Sequence, residues 1–329
     1  MKKILIYLSC MLACCLLFLH SGSAVCAGIR GFYVWRDSLL PALLPFFVCA
    51  YVMQNLGVPT KLERAALIAL SLISGAPSGA RLLSVRGETN SRTAAILNTV
   101  SPMFIYASFC NGMLGAPGLA APILIAQFTA ALIMLLIFPP KYGNSPQTKP
   151  DAPPLKLLGD GIAGGISAML NICGALVFFM AFMAAIQETI PMPGGVGGAV
   201  VSGMLEMVSG CIELSKLSLH PRIMAAASAF LFSFGGLCIF AQSLTFCKLS
   251  AIEYFSAKLI QGAISAFMAW LIVPLFPAAS AVYNSISGEA LLSNTMSFLQ
   301  TAGVSAVAMA VVLMIGAAAR YRKFYSKRI

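Results

Sequence analysis

Residues 67–81 read LIALSLISGAPSGAR, and the rest of the chain is organised around them. The stretch is apolar enough to enter a bilayer, yet its middle, Ser74-Gly75-Ala76-Pro77-Ser78-Gly79, is a turn sequence. Gly permits positive φ, and Pro fixes φ and removes a donor. Arg81 follows at once. A helix broken at membrane depth leaves N–H and C=O groups without partners. That is tolerated only where protein or a water-filled cavity surrounds them. Matched interruptions in the two halves of a chain are the best sequence pointer to a transporter's binding site. A second interruption lies in VSGMLEMVSGCIELSK, Val201 to Lys216. There Ser209-Gly210 precedes Lys216 with the spacing that separates Ser74-Gly75 from Arg81.

Composition sets the class. Hydrophobic residues make up 59% and charged residues 9%, and the mean hydropathy is +0.90. A soluble domain carries about 25% charge. The fold class expected is an all-α polytopic membrane protein, and the alternating pattern of a β-barrel is missing from the sequence. The net charge of +11 does not point to nucleic acid, because the basic residues sit between apolar spans and read as topology signals. All ten Cys lie in or beside apolar segments, without a CxxC or Cys/His cluster. Cys10, Cys14 and Cys15 read as small packed or lipid-facing residues. His20 and His220 are far apart near span ends. Neither a metal nor a cofactor is expected.

The chain divides as follows. Residues 1–36 hold Lys2-Lys3 and the apolar run Ile4–Leu19, read as a first transmembrane helix; the alternative is a signal peptide with a cleavage site in Ser23–Ala27. Residues 37–139 form a first repeat: a span at Ser38–Leu56, the first interrupted segment, a span at Ala94–Leu114 with Asn98, Ser101 and Pro102 in its middle, and another at Gly118–Phe138. Residues 140–159 are a polar, Pro-rich cytoplasmic linker. Residues 160–277 repeat the plan: a span at Gly161–Ile186, the second interrupted segment at Gly194–Leu214, a span at Arg222–Thr245 broken by Ser233-Phe234-Gly235-Gly236, and one at Ile252–Phe276. Residues 278–329 hold a last span, Thr301–Ala319, and a basic tail.

Charge chooses the topology. With a cytoplasmic N-terminus and two re-entrant hairpins, about eight helices cross and both termini are cytoplasmic. Arg81, Arg86, Arg92, Lys141, Lys156, Lys248 and the basic tail then lie inside, while Arg30, Arg36, Lys216 and Arg222 lie outside and Lys258 falls within a span. Full crossings would move Arg81, Arg86 and Arg92 outside, against the positive-inside rule. Each half then crosses three times, so the second half is inverted relative to the first, as in secondary transporters.

Four elements are expected to meet at the centre. The first tip contributes Ser74, Gly75, Ser78 and Gly79, and the second Ser209 and Gly210. The broken spans contribute Asn98 and Ser101, then Ser233, Gly235, Gly236 and Gln242. Small residues let backbone approach a ligand, and helix N-termini suit an anion; the structural alternative is tight helix packing. Glu206 is read as a coupling or gating group that takes a cation or a proton, because a carboxylate within an apolar segment is costly. Glu213 is expected to pair with Lys216. Arg81 is either an interfacial anchor or an attractor of anions at the cytoplasmic mouth. No enzyme signature occurs: there is no Gly-x-Ser-x-Gly, His-Glu-x-x-His or Walker loop.

Leu43-Leu44-Pro45-Phe46-Phe47, Ser74 to Arg81, Ser101-Pro102-Met103-Phe104-Ile105, and Ser233-Phe234-Gly235-Gly236-Leu237-Cys238-Ile239 with Gln242 resemble the YlbJ (SpoVV) family of sporulation integral membrane proteins. The resemblance covers roughly residues 37–276. It implies a nucleoside-recognition (Gate) domain and transport of dipicolinic acid from mother cell to forespore. The expected function is therefore a secondary transporter of a small organic anion in a bacterial cell or forespore membrane. The alternatives are a nucleoside-like solute carrier and a non-transporting scaffold in spore formation. The partners expected are that anion and the lipid bilayer, not nucleic acid; homo-oligomerisation stays open.

Overall fold

Proline, glycine and capping side chains cut the apolar sequence into helices. A computed structural model describes residues 2–56, 63–85, 90–139 and 154–276, and among these described residues there is no strand. Most of the linker at 140–159, the loop at 86–89 and the last span at Thr301–Ala319 lie outside them.

The chain opens with α1 (Lys2–Leu19) and α2 (Ser21–Val34), bent by 94° between them. α2 runs through a π-helical stretch, Trp35–Leu39, into α3 (Leu40–Leu56). The first long helix of the repeat therefore begins near residue 21, not at Ser38 as expected. α4 (Glu63–Ser74) and α5 (Ser78–Val85) are the arms of the first hairpin. α6 (Ser91–Leu97), a break at 98–101 and a π-helical stretch, Phe104–Met113, make the first broken span. Asn90 caps α6, its Oδ1 accepting from the N–H of Arg92 at 3.0 Å and of Thr93 at 3.2 Å. α7 (Ala120–Ile137) completes the half.

The second half repeats that order. α8 (Pro154–Thr189) is its long helix, α9 (Gly195–Leu205) and α10 (Met207–Ser215) its hairpin, α11 (Pro221–Phe234) and α12 (Gly236–Ser243) its broken span, and α13 (Ala251–Ile272) its last helix. α11 starts with Pro221 in its first turn, where a missing N–H costs nothing.

The halves point opposite ways. α8 lies antiparallel to α2 and α3: Ser23 donates to Glu188 at 2.9 Å and the Trp35 indole to the Met169 carbonyl at 2.9 Å. At the far end Gly161 meets Val48 and Tyr51. Apolar surface gains little by leaving lipid, so close van der Waals contact between small residues must hold such helices. Gly28 and Gly31 of α2 admit Val177 and Met180, and Gly161 and Gly165 of α8 admit Tyr51 and Leu44. Phe232 of α11 then meets Phe104 and Phe109 of the first broken span edge-on, with centroids 6.0 and 5.1 Å apart. Such pairs add ~0.5–1.5 kcal/mol each beyond area burial.

Among the described residues four helices are long and apolar enough to cross a membrane: Pro117–Ile137, Leu155–Thr189, Pro221–Ser243 and Ala251–Leu275. The bent pair Tyr7–Leu19 and Ser21–Asp37 is a fifth candidate. About eight were expected. The shortfall falls largely in the first half, where α3 has only 17 residues and the break at 98–101 divides its span.

Candidate functional site

The two hairpins enter from opposite faces. Arg81 of the first lies 5.5 Å from the Tyr51 ring, toward the C-terminal end of α3. Glu213 of the second accepts from Gln187 at 2.8 Å, toward the C-terminal end of α8. Because α3 and α8 are antiparallel, these ends lie on opposite sides. The tips consequently meet inside the protein.

At the first tip Gly75 adopts φ +77°, which an L side chain rarely tolerates. A Cβ there would come within 2.7 Å of Ser101. The turn is tied to the first break: the Ala76 N–H donates to the Thr99 carbonyl at 2.7 Å, and the Ala80 N–H to Asn98 Oδ1 at 3.0 Å. Ser74 donates to the Leu70 carbonyl at 2.6 Å and shares a 2.6 Å contact with the Ser78 hydroxyl. Ser101 Oγ accepts from the Phe104 N–H at 3.2 Å and so starts the second half-helix of that span.

The second tip falls elsewhere than expected. The helix breaks at Glu206, with φ −139° and ψ 114°, not at Ser209-Gly210. Glu206 is the N-cap of α10, its carboxylate accepting from the N–H of Val208 at 2.9 Å and of Ser209 at 2.6 Å. An anion at a helix N-terminus satisfies orphan donors and meets the positive dipole end. Gly210 lies within α10, where a Cβ would strike Gly203 and the Ala199 carbonyl. It serves close packing of the hairpin arms. Gly236, at φ +82°, brings the second break against the Gly203 carbonyl, 2.8 Å from where a Cβ would sit.

One cavity lies between these parts. Both tips, the first break and α12 line it, through Ser74 and Gly75, Glu206, Ser101, and Cys238 with Gln242; Leu43 and Ile172 close its sides. Its volume is about 60 Å³, less than half the ~150 Å³ of a cavity that admits benzene. A cargo of ring size requires the tips to separate.

Of the residues expected at the centre, Ser74, Gly75, Ser101, Gln242 and Glu206 line this cavity, whereas Ser78, Gly79, Asn98, Ser209, Gly210, Ser233, Gly235, Gly236 and Arg81 do not. Asn98 is instead a knot, with Nδ2 donating to Ser243 at 2.7 Å and to Tyr254 at 3.3 Å. Gly79 sits where a Cβ would meet the Leu97 carbonyl at 2.8 Å. Glu213 is not paired with Lys216; it accepts from Gln187 at 2.8 Å and from Ser202 at 2.9 Å. Lys258 is the residue that sequence reading passed over. It is fully buried on α13, and its ammonium donates to the carbonyls of Asn98 and Ser233. The signal was present, since an ionisable residue within a membrane segment is a functional candidate by default.

The chain is similar to the sporulation integral membrane protein YlbJ of Bacillus subtilis (strain 168), 23% identical over 346 residues covering 84% of each chain. The chain is an integral membrane protein whose described residues form helices, in accord with the outward apolar side chains of α1 and α13, among them Leu12, Phe18, Phe267 and Trp270. No family model matches the chain, and no solved structure matches it.

Proposed function

We propose that this protein is a secondary transporter that acts in spore formation and carries a small organic acid, with dipicolinic acid as the lead cargo. One observation carries the proposal: among the described residues a central cavity is lined by both hairpin tips and both broken spans. Broken helices at membrane depth place backbone donors where a solute can reach them, and rocking of one repeat against the other exposes such a site to each face in turn. The cargo class comes from the resemblance to YlbJ, and the cavity adds a condition to it. Glu206 lines the cavity and already occupies the α10 amides. A dicarboxylate binds there by displacing the Glu206 carboxylate from those amides.

A second cargo has its own support. The Glu206 carboxylate, the Gln242 amide and mainly apolar walls suit a neutral ring with hydrogen-bond donors, as in a nucleoside-like solute.

Uptake into proteoliposomes tests both cargoes. Labelled dipicolinate is expected to accumulate above empty vesicles and to be competed by unlabelled dipicolinate. Gly75→Val, which drives a branched side chain into Ser101, is expected to abolish accumulation at normal expression. Competition by nucleosides alone transfers the function to the second cargo. Accumulation of neither by folded protein overturns transport and leaves the scaffold role.

A further inference from the structure

The two broken spans meet a single charge. α6 runs parallel to α13, since the Ser250 N–H donates to Ser91 at 2.8 Å and Asn98 reaches Lys258 further along. α11 runs antiparallel to α13, with Arg222 stacked 5.5 Å from the Trp270 ring and Ser233 at Lys258. The C-terminal ends of α6 and α11 thus approach Lys258 from opposite directions. Its ammonium donates to the carbonyl of Asn98 and, at 3.0 Å, to that of Ser233. Both helices end there with carbonyls that have lost their helical donors and carry partial negative charge.

No carboxylate faces this ammonium among the described residues. On the elements packed against α13 the charged side chains are Arg92 of α6 and Arg222 of α11, both at outer ends, and α7 has none. On α13 itself Glu253 lies 3.7 Å from Arg92. The titratable neighbour is Tyr254, whose ring centroid lies 5.9 Å from the ammonium and whose hydroxyl accepts from Asn98 at 3.3 Å; beyond it the Cys247 thiol donates to the Ser243 carbonyl. The Lys258 charge therefore rests on backbone carbonyls. Around it the hydroxyls of Thr99 and Ser233 and the Gln261 carbonyl oxygen are buried without a hydrogen-bond partner. On α7, Gln127 gives the first break a neutral equivalent, donating to the Val100 carbonyl at 2.8 Å.

Secondary transporters bind a coupling cation at unwound carbonyls and half-helix C-terminal ends. Here that arrangement of acceptors encloses a tethered ammonium. We propose that Lys258 is a built-in coupling cation: protonated, it holds the two breaks together around a closed cavity, and by releasing its proton to water on one side and regaining one on the other it couples transport to protons rather than to a metal ion. It rests on the transport function proposed above. Of the residues whose carbonyls hold the lysine, Asn98 is one residue from Thr99, whose carbonyl holds the first tip, and Ser233 is three residues from Gly236, which abuts the second hairpin. Loss of its charge loosens both ends at once.

The test needs no cargo. Cys238 lines the cavity and is buried, whereas Lys216 is exposed at the outer end of α10, so Lys216→Cys supplies a water-facing reference thiol. A chain whose only thiols are Cys238 and the reference is labelled with a methanethiosulfonate reagent from about pH 6 to 9, and the ratio of rates, Cys238 over the reference, removes most of the thiols' own titration. The ratio is expected to rise about tenfold with pH and to ignore Na⁺. K258R, which keeps its charge throughout, is expected to hold the low value at every pH, and K258Q the high value. If one variant does not fold, the other decides. A ratio that is flat in the parent chain, or that keeps its pH dependence in either variant, overturns the proposal, and so does a Na⁺-dependent ratio. Failed uptake of every cargo with the labelling pattern intact removes the transport function and not the switch.

Discussion

Glu206 joins two roles in one carboxylate. It caps α10 and it faces the cavity. Glu206→Ala leaves the Val208 and Ser209 amides without an acceptor, a loss of about 1 kcal/mol for an N-cap. The expected outcome is a melting temperature a few degrees lower in detergent. Glu206→Gln keeps one acceptor and removes the charge. If the cargo is a dicarboxylate, its half-saturation concentration is expected to fall about tenfold, equal to ~1.4 kcal/mol, because like charges in a low-dielectric cavity repel. If the cargo is nucleoside-like, the same variant weakens binding, since the carboxylate is then an acceptor for it. Uptake against concentration for the two solutes distinguishes these outcomes.

At the scale of elements, close backbone contact holds the arms of the second hairpin together beside the Ser202–Glu213 hydrogen bond. Gly210 lies against Gly203, and Gly203 in turn lies against Leu231, whose Cδ atoms would be 2.6 and 2.8 Å from an added Cβ. Gly210→Val has no space to enter and must push α9 from α10. Overpacking of this kind costs roughly 1–3 kcal/mol. The expected result is a lowered melting temperature together with reduced uptake. Gly197→Ala, on the same arm with nothing within 4 Å of the added carbon, is expected to leave both unchanged. Equal melting of the Gly210→Val and parent chains would remove the packing role assigned to that glycine.

Across the described residues the helices of the second half follow the order of the first with α8 antiparallel to α2 and α3, and orientation follows from it. α8 carries Lys156 near one end, and the second hairpin carries Lys216 at the opposite face; both side chains are exposed. With the positive-inside rule, Lys156→Cys is expected to react with an impermeant thiol reagent only from the cytoplasmic side and Lys216→Cys only from outside. Labelling of both from one face would break the inverted arrangement. An exposed Arg36–Asp37 pair, 2.6 Å apart, sits in the π-helical link between α2 and α3.

Some of this was determined by the sequence alone. The helical membrane class follows from composition, because a bilayer excludes charge and unpaired backbone whatever the fold. The first tip was legible because Gly75 and Pro77 impose a turn through their own covalent geometry. The second tip was not, since its break is made by a carboxylate folding back on two amides, a bond that leaves no Gly or Pro to read. Ser209-Gly210 looked like a turn because a glycine that permits positive φ and a glycine that permits close packing are the same residue. Only the tertiary structure tells them apart, by bringing Gly203 to Gly210. Lys258 marks the limit most clearly. Its partners are main-chain carbonyls at residues 98 and 233. Every residue type carries such a carbonyl, so no side-chain pattern could announce the pairing before the two halves of the chain were folded against each other.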